Sequence, residues 1–465
     1  MGANQPAFMI LTWGCQMNED DSLQMANLLE QMGCRQVSEE SDADIILLNT
    51  CSVRAKPEQK VRSKLGELRR LKLRKPDLII GVCGCMAQLE SEELLRRTPF
   101  VDLVLGTACI HELPMLVQRI RQGRGRIAAL DLPERNESSG ISHAPRIVGK
   151  VGLKMFVPIM YGCNNFCAYC VVPYTRGPER SRPPEEIVAE ATELVSRGCK
   201  EVTLIGQNVN SYGKQSAVGS RQPVVKKHLE AAHRGPMDFA GLVERLNDVP
   251  GLERIRFTTS HPKDLSDRLI EAIAGLPKVC EHLHLPLQAG DDDVLRGMGR
   301  GYTVARYMAL VDKLRERVPG VSLTTDVMVG FPGETEEQFK NTLKAVETVR
   351  FDGAFMFAFN PRSGTAAAQV DNQNDRPTRM RRLHELIELQ NGITLEKNQA
   401  EAGRLFEILV EGPSEKDPSR MTGCTRTNKT VNFPGGPELV GRLVIIQAIT
   451  AHPWGFTGKT EDNRL

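Results

Sequence analysis

The stretch Tyr161-Gly-Cys-Asn-Asn-Phe-Cys-Ala-Tyr-Cys170 places three cysteines, Cys163, Cys167 and Cys170, within eight residues. No other segment so restricts the fold, because three thiols on one short loop can converge on a single centre. Soft sulfur ligands select zinc or an iron–sulfur cluster over hard cations. A structural zinc site takes four protein ligands, and this loop supplies three. The nearest histidines are His143 and His228. Three thiolates with one position left over suit a cubane cluster whose fourth iron stays open to a ligand. A zinc loop lacking its fourth ligand, or chance clustering, are the alternatives.

The rest of the cysteine usage points the same way. The chain has 465 residues and twelve cysteines, and Met1-Gly-Ala-Asn-Gln-Pro6 lacks the basic-then-apolar plan of a signal peptide. A reducing compartment is therefore expected, with thiols kept for metal or cluster ligation rather than disulfides. No apolar run approaches the roughly 18 residues of a membrane span, so a cytoplasmic protein with no membrane contact is expected. The net charge of +2 means that any nucleic-acid contact must come from local patches.

Short apolar runs at 8–13, 45–49 and 78–82 lead to Cys15, Cys51 and, through Cys83, to Cys85, with helix-like segments at 20–32 and 56–73. Alternating strands and helices read as a doubly wound parallel sheet. Ligands gather outside the carboxyl ends of such strands, so the three cysteines are expected as spatial neighbours; three buried strand-end thiols are the plainer reading. Cys34, Cys83 and Cys109 read as packing residues. Arg54 to Lys75 carries ten Lys or Arg against two Glu, which reads equally as a solvated helical face or as a footprint for phosphates. Residues 131–149 are polar and Pro/Gly/Ser-rich, as a linker would be.

A strand–helix rhythm follows. Strands are expected at 155–160, 201–205, 254–258, 281–285, 323–329 and 353–358. Helices are expected at 184–197, 238–247, 264–275, 303–317 and 334–349. Six units suit a partial (β/α)6 barrel with the cysteine loop at its C-terminal face. Residues 214–235 read as a polar, basic surface insertion and 378–401 as a charged helix. Beyond Gly403 the texture changes to short strands, with a polar hairpin at 423–433.

Cys163-x3-Cys167-x-Tyr169-Cys170 resembles the signature of radical S-adenosylmethionine enzymes. That resemblance implies that the open iron binds the amino and carboxylate groups of S-adenosylmethionine and that reductive cleavage gives a 5′-deoxyadenosyl radical. Cys15-Gln-Met-Asn18, Asn49-Thr-Cys-Ser-Val-Arg54 and Gly84-Cys-Met-Ala-Gln88 resemble the N-terminal domain of methylthiotransferases, in which these three cysteines hold a second [4Fe–4S] cluster. The expected cofactors are thus two [4Fe–4S] clusters and S-adenosylmethionine. The C-terminal texture resembles the TRAM domain, a small RNA-binding β-barrel. The implied domains are 6–125 (methylthiotransferase N-terminal domain), 126–150 (linker), 151–395 (radical core) and 396–460 (TRAM).

The same resemblance distributes roles. Gly206, Gln207 and Asn208 after the second barrel strand, Gln288 after the fourth and Asp326 on the fifth are expected at the cofactor. Tyr169 is expected against the adenine, or else in the core, and His284 as a satisfied, non-catalytic histidine or a proton carrier. Arg176, Arg180 and Arg182 are expected near the substrate or the anionic end of the cofactor, or else as solvated surface arginines. Arg426 and Lys429, exposed beside Phe433, are expected to hold RNA phosphates, against the alternative of an ordinary solvated hairpin. Phe359-Asn-Pro-Arg362 stands where the family carries Tyr-Ser-Pro-Arg.

Cys170-Val-Val-Pro-Tyr-Thr-Arg-Gly177 and Thr425-Arg-Thr-Asn-Lys-Thr-Val-Asn-Phe433 resemble the branch that methylthiolates C2 of N6-dimethylallyladenosine next to the anticodon of tRNA. Relatives acting on threonylcarbamoyl-adenosine or on a ribosomal-protein aspartate are the alternatives within the family. A non-enzymatic, cluster-containing RNA-binding protein is the alternative outside it. The implied partners are a tRNA anticodon stem-loop, an electron donor and a sulfur source, with the chain acting as a monomer.

Overall fold

A computed structural model of the chain describes residues 5–52, 55–133, 151–214 and 237–461. Most of the expected linker, nearly all of the basic insertion, and Val53 and Arg54 lie outside the described residues.

The first region runs β1 (Ala7–Trp13), α1 (Gln16–Gln31), β2 (Arg35–Gln36), β3 (Ile45–Thr50), α2 (Ala55–Arg74), β4 (Ile79–Gly84), α3 (Cys85–Arg97), β5 (Leu103–Leu105), α4 (Leu113–Arg121) and β6 (Ile127–Ala129). Its strands form one parallel sheet in the order β2-β1-β3-β4-β5-β6. Side chains alternate across a strand. Ile45 and Leu47 therefore pack with Met25, Leu29 and Leu116, while Ile46 and Leu48 pack with Val61, Leu65 and Leu68 on the other face. The sheet is doubly wound, as expected. Cys34, Cys83 and Cys109 are buried in the first of these cores. The linker expected at 126–150 starts later, because Ile127 and Ala129 pack into one core and Ala128 into the other as the edge strand.

The second region runs β7 (Lys154–Pro158), β8 (Met160–Tyr161), α5 (Val172–Thr175), β9 (Arg180–Ser181), α6 (Pro184–Ser196), β10 (Glu201–Ile205), α7 (Phe239–Asn247), β11 (Arg254–Phe257), α8 (Asp267–Gly275), β12 (His282–His284), α9 (Asp292–Gly297), α10 (Val304–Arg317), β13 (Ser322–Val329), α11 (Glu336–Val349), β14 (Gly353–Ala358) and α12 (Arg376–Ala400). Two parallel three-stranded sheets, β7-β10-β11 and β12-β13-β14, are joined by the bridge Ile255–Val279. Six strands in chain order around one core make the expected partial barrel. Caps set where its helices begin: Ser266 accepts from Leu269 N–H, and Thr335 forms a capping box with Gln338. Hence α8 and α11 start a few residues after the expected 264 and 334.

The third region is a closed barrel of β15 (Leu405–Pro413), β16 (Arg420–Thr425), β17 (Thr430–Pro434), β18 (Leu443–His452) and β19 (Gly455–Thr460), ordered β15-β16-β17-β19-β18. Its core holds Ile408, Val431, Phe433, Ile446 and Phe456. The expected break at 395/396 falls inside α12, which continues unbroken to Ala400. Among the described residues no helix is long and apolar enough to cross a membrane.

Candidate active site

The order of the first sheet reverses between β1 and β3, and Cys15 and Cys51 follow those two strands. Cys85 opens α3 directly after β4. The thiol of Cys51 is hydrogen-bonded to those of Cys15 and Cys85, so the structure brings the three together. The cradle is tight. Asn18 Oδ1 accepts from the Cys15 backbone N–H (3.3 Å), and Asn18 Nδ2 reaches Asn49 Oδ1 (3.3 Å). Gly84 has φ +86°, and a Cβ there would lie 2.3 Å from Asn49 Oδ1.

A cation from the second region serves this trio. Arg176 is buried and bonds Asp21 on α1 through Nη2 (2.6 Å) and Nη1 (3.4 Å). The hydrogen bond to Cys51, helped by the Arg176 charge, lowers Cys15 to about 5 and Cys85 to about 6. Cys51 is raised well above the usual thiol range, because those same bonds keep its proton. Burial pushes Asp21 up to about 7 despite its ion pair.

The second trio is built by backbone. Gly162 turns the chain with φ +75°, where a Cβ would lie 2.0 Å from Pro178 O. Cys163 N–H donates to Gly177 O (3.2 Å), Cys170 N–H to Cys167 O (2.9 Å) and Ala168 N–H to Met298 O (2.9 Å). Each sulfur accepts one N–H: Cys163 from Asn165 N (3.4 Å), Cys170 from Val172 N (3.5 Å) and Cys167 from Arg300 Nη1 (3.5 Å). Such bonds are among the means by which a protein tunes a cluster. Burial pushes Cys163 up to about 11 and Cys170 up to about 12, so these thiols ionise on coordination rather than alone. Among the described residues no three His, Cys, Asp or Glu side chains are arranged around a single ion. A cubane takes its thiolates on different irons and wants a wider spacing, and two sets of three thiols fit that donor pattern.

The trios are neighbours. From Cys170 the chain runs through α5 to Thr175, whose hydroxyl bonds Cys85 and whose carbonyl accepts from Thr107 (2.6 Å). Five residues span at most about 18 Å even when extended, and α5 is helical.

Gly206, Gln207 and Asn208 follow β10. Gln207 Oε1 and Asn208 Oδ1 are buried without a hydrogen-bond partner, while Asn208 Nδ2 donates to Asp264 (2.8 Å). Gln288, buried, holds φ +66° and donates its N–H to Asp326 O (2.8 Å). A non-glycine residue there is strained, and such strain collects at functional sites. Asp326 Oδ1 lies 3.5 Å from His284 Nε2, and His284 Nδ1 is 3.0 Å from Thr324 Oγ1, so this histidine is partnered. Tyr169 packs partly against the barrel core. Phe359 is buried edge-on against Phe331, a packing role that needs no hydroxyl.

Several expected roles need correction. Arg182 is buried on Glu190 (2.7 Å) and Pro158 O (2.5 Å) and belongs to the scaffold. Of the three arginines, Arg180 alone is partly exposed, with an unpartnered Nε. Arg426 grips Glu281 (2.8 Å) and Val279 O (2.6 Å), Lys429 bonds Glu401 (2.6 Å), and Phe433 is inside the barrel. Arg254 and Arg256 donate to the carbonyls of Cys424, Thr425 and Arg426. That hairpin docks the small barrel on the large one and is not an exposed RNA face. Asp21 and Arg300 were not singled out from sequence, nor was Glu179, buried beside Ser211 and pushed up to about 7 by burial.

Family models match along the chain: the uncharacterized protein family UPF0004 at 7–106, the radical SAM superfamily at 157–346 and the TRAM domain at 399–459. Among solved structures, the radical S-adenosylmethionine methyltransferase TsrM from Kitasatospora setae, with cobalamin and a [4Fe–4S] cluster bound, shares the fold. Its TM-score is 0.53 at 15% identity, covering 79% of this chain and 74% of that one. Fold and site thus define a radical SAM protein, a class that uses S-adenosylmethionine and a [4Fe–4S] cluster. Curated proteins named tRNA-2-methylthio-N(6)-dimethylallyladenosine synthase are 48% identical in Desulforamulus reducens (99% of this chain, 96% of the relative) and 48% identical in Moorella thermoacetica (98% of each). The chain belongs to that synthase family.

Proposed function

We propose that this chain methylthiolates C2 of N6-dimethylallyladenosine next to the anticodon of tRNA, with S-adenosylmethionine as methyl donor and radical source. The names of its relatives favour that substrate over threonylcarbamoyl-adenosine or a ribosomal-protein aspartate. The observation that supports the reading is the short run from Cys170 through α5 to Thr175, whose hydroxyl bonds Cys85, so that few residues separate the two three-thiol sites. A merely structural or redox-sensing pair of clusters has no need of that adjacency.

Cys163, Cys167 and Cys170 would hold one [4Fe–4S] cluster, and Cys15, Cys51 and Cys85 a second. Bound there, these groups supply radical generation and a sulfur for transfer. The chain's own part is to place and enclose. Gln207 and Asn208 offer open buried acceptors, Gly206 leaves the space that Met160 fills, Gln288 is tied by its backbone N–H to Asp326 O, and Tyr169 lies against the barrel core. Arg180 supplies a partly exposed cation. The target base has to leave its stack, at about a few kcal/mol, less for an unpaired loop base. An electron donor and a sulfur source complete the reaction, and the chain acts as a cytoplasmic monomer.

With Arg426 and Lys429 engaged, the tRNA backbone is assigned to α2. Lys60, Arg69, Arg70 and Arg74 are exposed there and make no ion pair among the described residues. An open groove of about 450 Å³ is lined by Trp13 and by Gln59, Lys60, Ser63, Lys64 and Glu67. Replacing the four cations by Gln should weaken tRNA binding and flatten its salt dependence by about one unit of slope per lost phosphate contact. An unchanged slope removes α2 from the interface.

The decisive experiment is mass spectrometry of tRNA nucleosides from a strain lacking the protein. Dimethylallyladenosine should accumulate without its 2-methylthio form, and complementation should restore it. Loss of a methylthio group from threonylcarbamoyl-adenosine or from ribosomal protein instead would overturn the reading.

A further inference from the structure

Six arginines are buried in the described residues. Five have a carboxylate: Arg176 with Asp21 (2.6 Å), Arg182 with Glu190 (2.7 Å), Arg254 with Glu407 (3.0 Å), Arg256 with Glu201 (3.0 Å) and Arg382 with Glu334 (2.9 Å). Arg300 has none among the described residues. Its Nη1 lies 3.5 Å from Cys167 Sγ, its Nε donates to Tyr302 Oη (3.3 Å), and its guanidinium sits 5.4 Å from the Tyr302 ring centroid.

Arginine stays charged in proteins. A buried charge left uncompensated is strongly unfavourable, and a cation–π contact offsets only part of that cost. The geometry therefore calls for an anion at the remaining guanidinium face. Tyr302 and Tyr169 also lie near Arg300, but a phenol ordinarily ionises only at about pH 10, so the neighbour that can carry negative charge there is the Cys167 sulfur once it is a ligand thiolate. The segment carrying Arg300 also holds the cysteine loop: Met298 O accepts from Ala168 N–H, and a Cβ on Gly299 would come within 3.5 Å of Phe166 O. Tyr302 Oη donates in turn to Leu287 O (2.8 Å). The cation is thus fixed relative to Cys167 from both sides.

We infer that Arg300 is the built-in counter-cation of the Cys163, Cys167 and Cys170 thiolates and eases one-electron reduction of the cluster they hold. This rests on the loop trio binding a cluster, as proposed above. Reduction adds one negative charge at the site, supplied by the low-potential electron donor. A fixed positive charge within hydrogen-bond reach of a ligand sulfur stabilises that added charge. Arg300 is a positioning and charge-balancing residue, and it takes no part in bond making.

The test uses the full chain, reconstituted anaerobically as wild type, R300Q and R300K. Iron is counted first. The loop cluster is then titrated with dithionite under electron paramagnetic resonance before any S-adenosylmethionine is added, and its signal is identified afterwards as the one that the cofactor perturbs. At equal iron, R300Q should show about a tenfold smaller reduced-to-oxidised ratio at a fixed potential, equivalent to about 59 mV for one electron, and R300K should recover part of it. Iron lost from R300Q but kept by R300K supports the same role. An unchanged potential in R300Q, or iron lost equally from both variants, overturns it. Wild-type chain without a loop cluster would instead sink the parent reading.

Discussion

Cys163, Cys167 and Cys170 come from one loop, whereas Cys15, Cys51 and Cys85 are gathered from the ends of three parallel strands. In the loop each sulfur has its own N–H donor and burial holds Cys163 and Cys170 protonated. In the strand-end trio the thiols bond one another, and the bond to Cys51, helped by a cation from another region, lowers two of them. Their cations differ too, since Arg176 arrives with Asp21 and Arg300 without a carboxylate among the described residues. A loop site is fixed by local backbone. A strand-end site depends on sheet register and on how two regions dock.

The largest way to break this comparison is to remove each trio in turn. Reconstituted wild-type chain should bind about eight iron atoms, and either triple alanine variant about four. The variants then diverge. Without Cys163, Cys167 and Cys170, 5′-deoxyadenosine formation should vanish. Without Cys15, Cys51 and Cys85 it should persist, while methylthiolated nucleoside disappears. Deoxyadenosine lost from both variants would mean that the loop site is not independent of the sheet.

What the sequence disclosed follows from the same contrast. CxxxCxxC is local, so spacing alone exposes it. Cys15, Cys51 and Cys85 were readable because each ends an apolar run, and parallel sheets line up such ends. The Arg176–Asp21 pair joins positions 155 residues apart, and nothing in either neighbourhood marks the other. A basic hairpin looks alike whether it meets phosphates or carboxylates, and the partners of Arg426 and Lys429, Glu281 and Glu401, lie far from them in sequence or outside the hairpin. The short strands β2, β5, β6, β8 and β9, of two or three residues each, carry too few side chains for a period-two signal.

The next effect sharpens the docking side of the comparison. Asp21→Asn removes the carboxylate that bonds the buried Arg176, and breaking such a pair typically costs about 3–5 kcal/mol. Thermal unfolding should shift down, and iron should be lost from the strand-end trio before the loop trio. Equal loss from both would show that Arg176 supports both trios. Arg300→Gln provides the control, because it removes a charge that has no carboxylate to strand.

The smallest effect separates the barrel scaffold from either site. His282 is buried against Thr324 Oγ1 (3.0 Å), and desolvation, with Arg256 nearby, lowers it to about 3. The unfolded chain takes up a proton on this histidine below its ordinary pKa near 6.5, and the native state does not until about pH 3. Its contribution to stability is therefore complete above pH 6.5 and drains away as pH falls, by at most about 1.4 kcal/mol per pH unit. Chemical denaturation of His282→Gln between pH 7 and pH 4.5 should show a correspondingly shallower acid slope than wild type. The pH dependence of iron retention should stay the same in both, because His282 faces Thr324 and not a thiol. A mutant slope equal to wild type would mean that His282 already carries its proton in the native barrel.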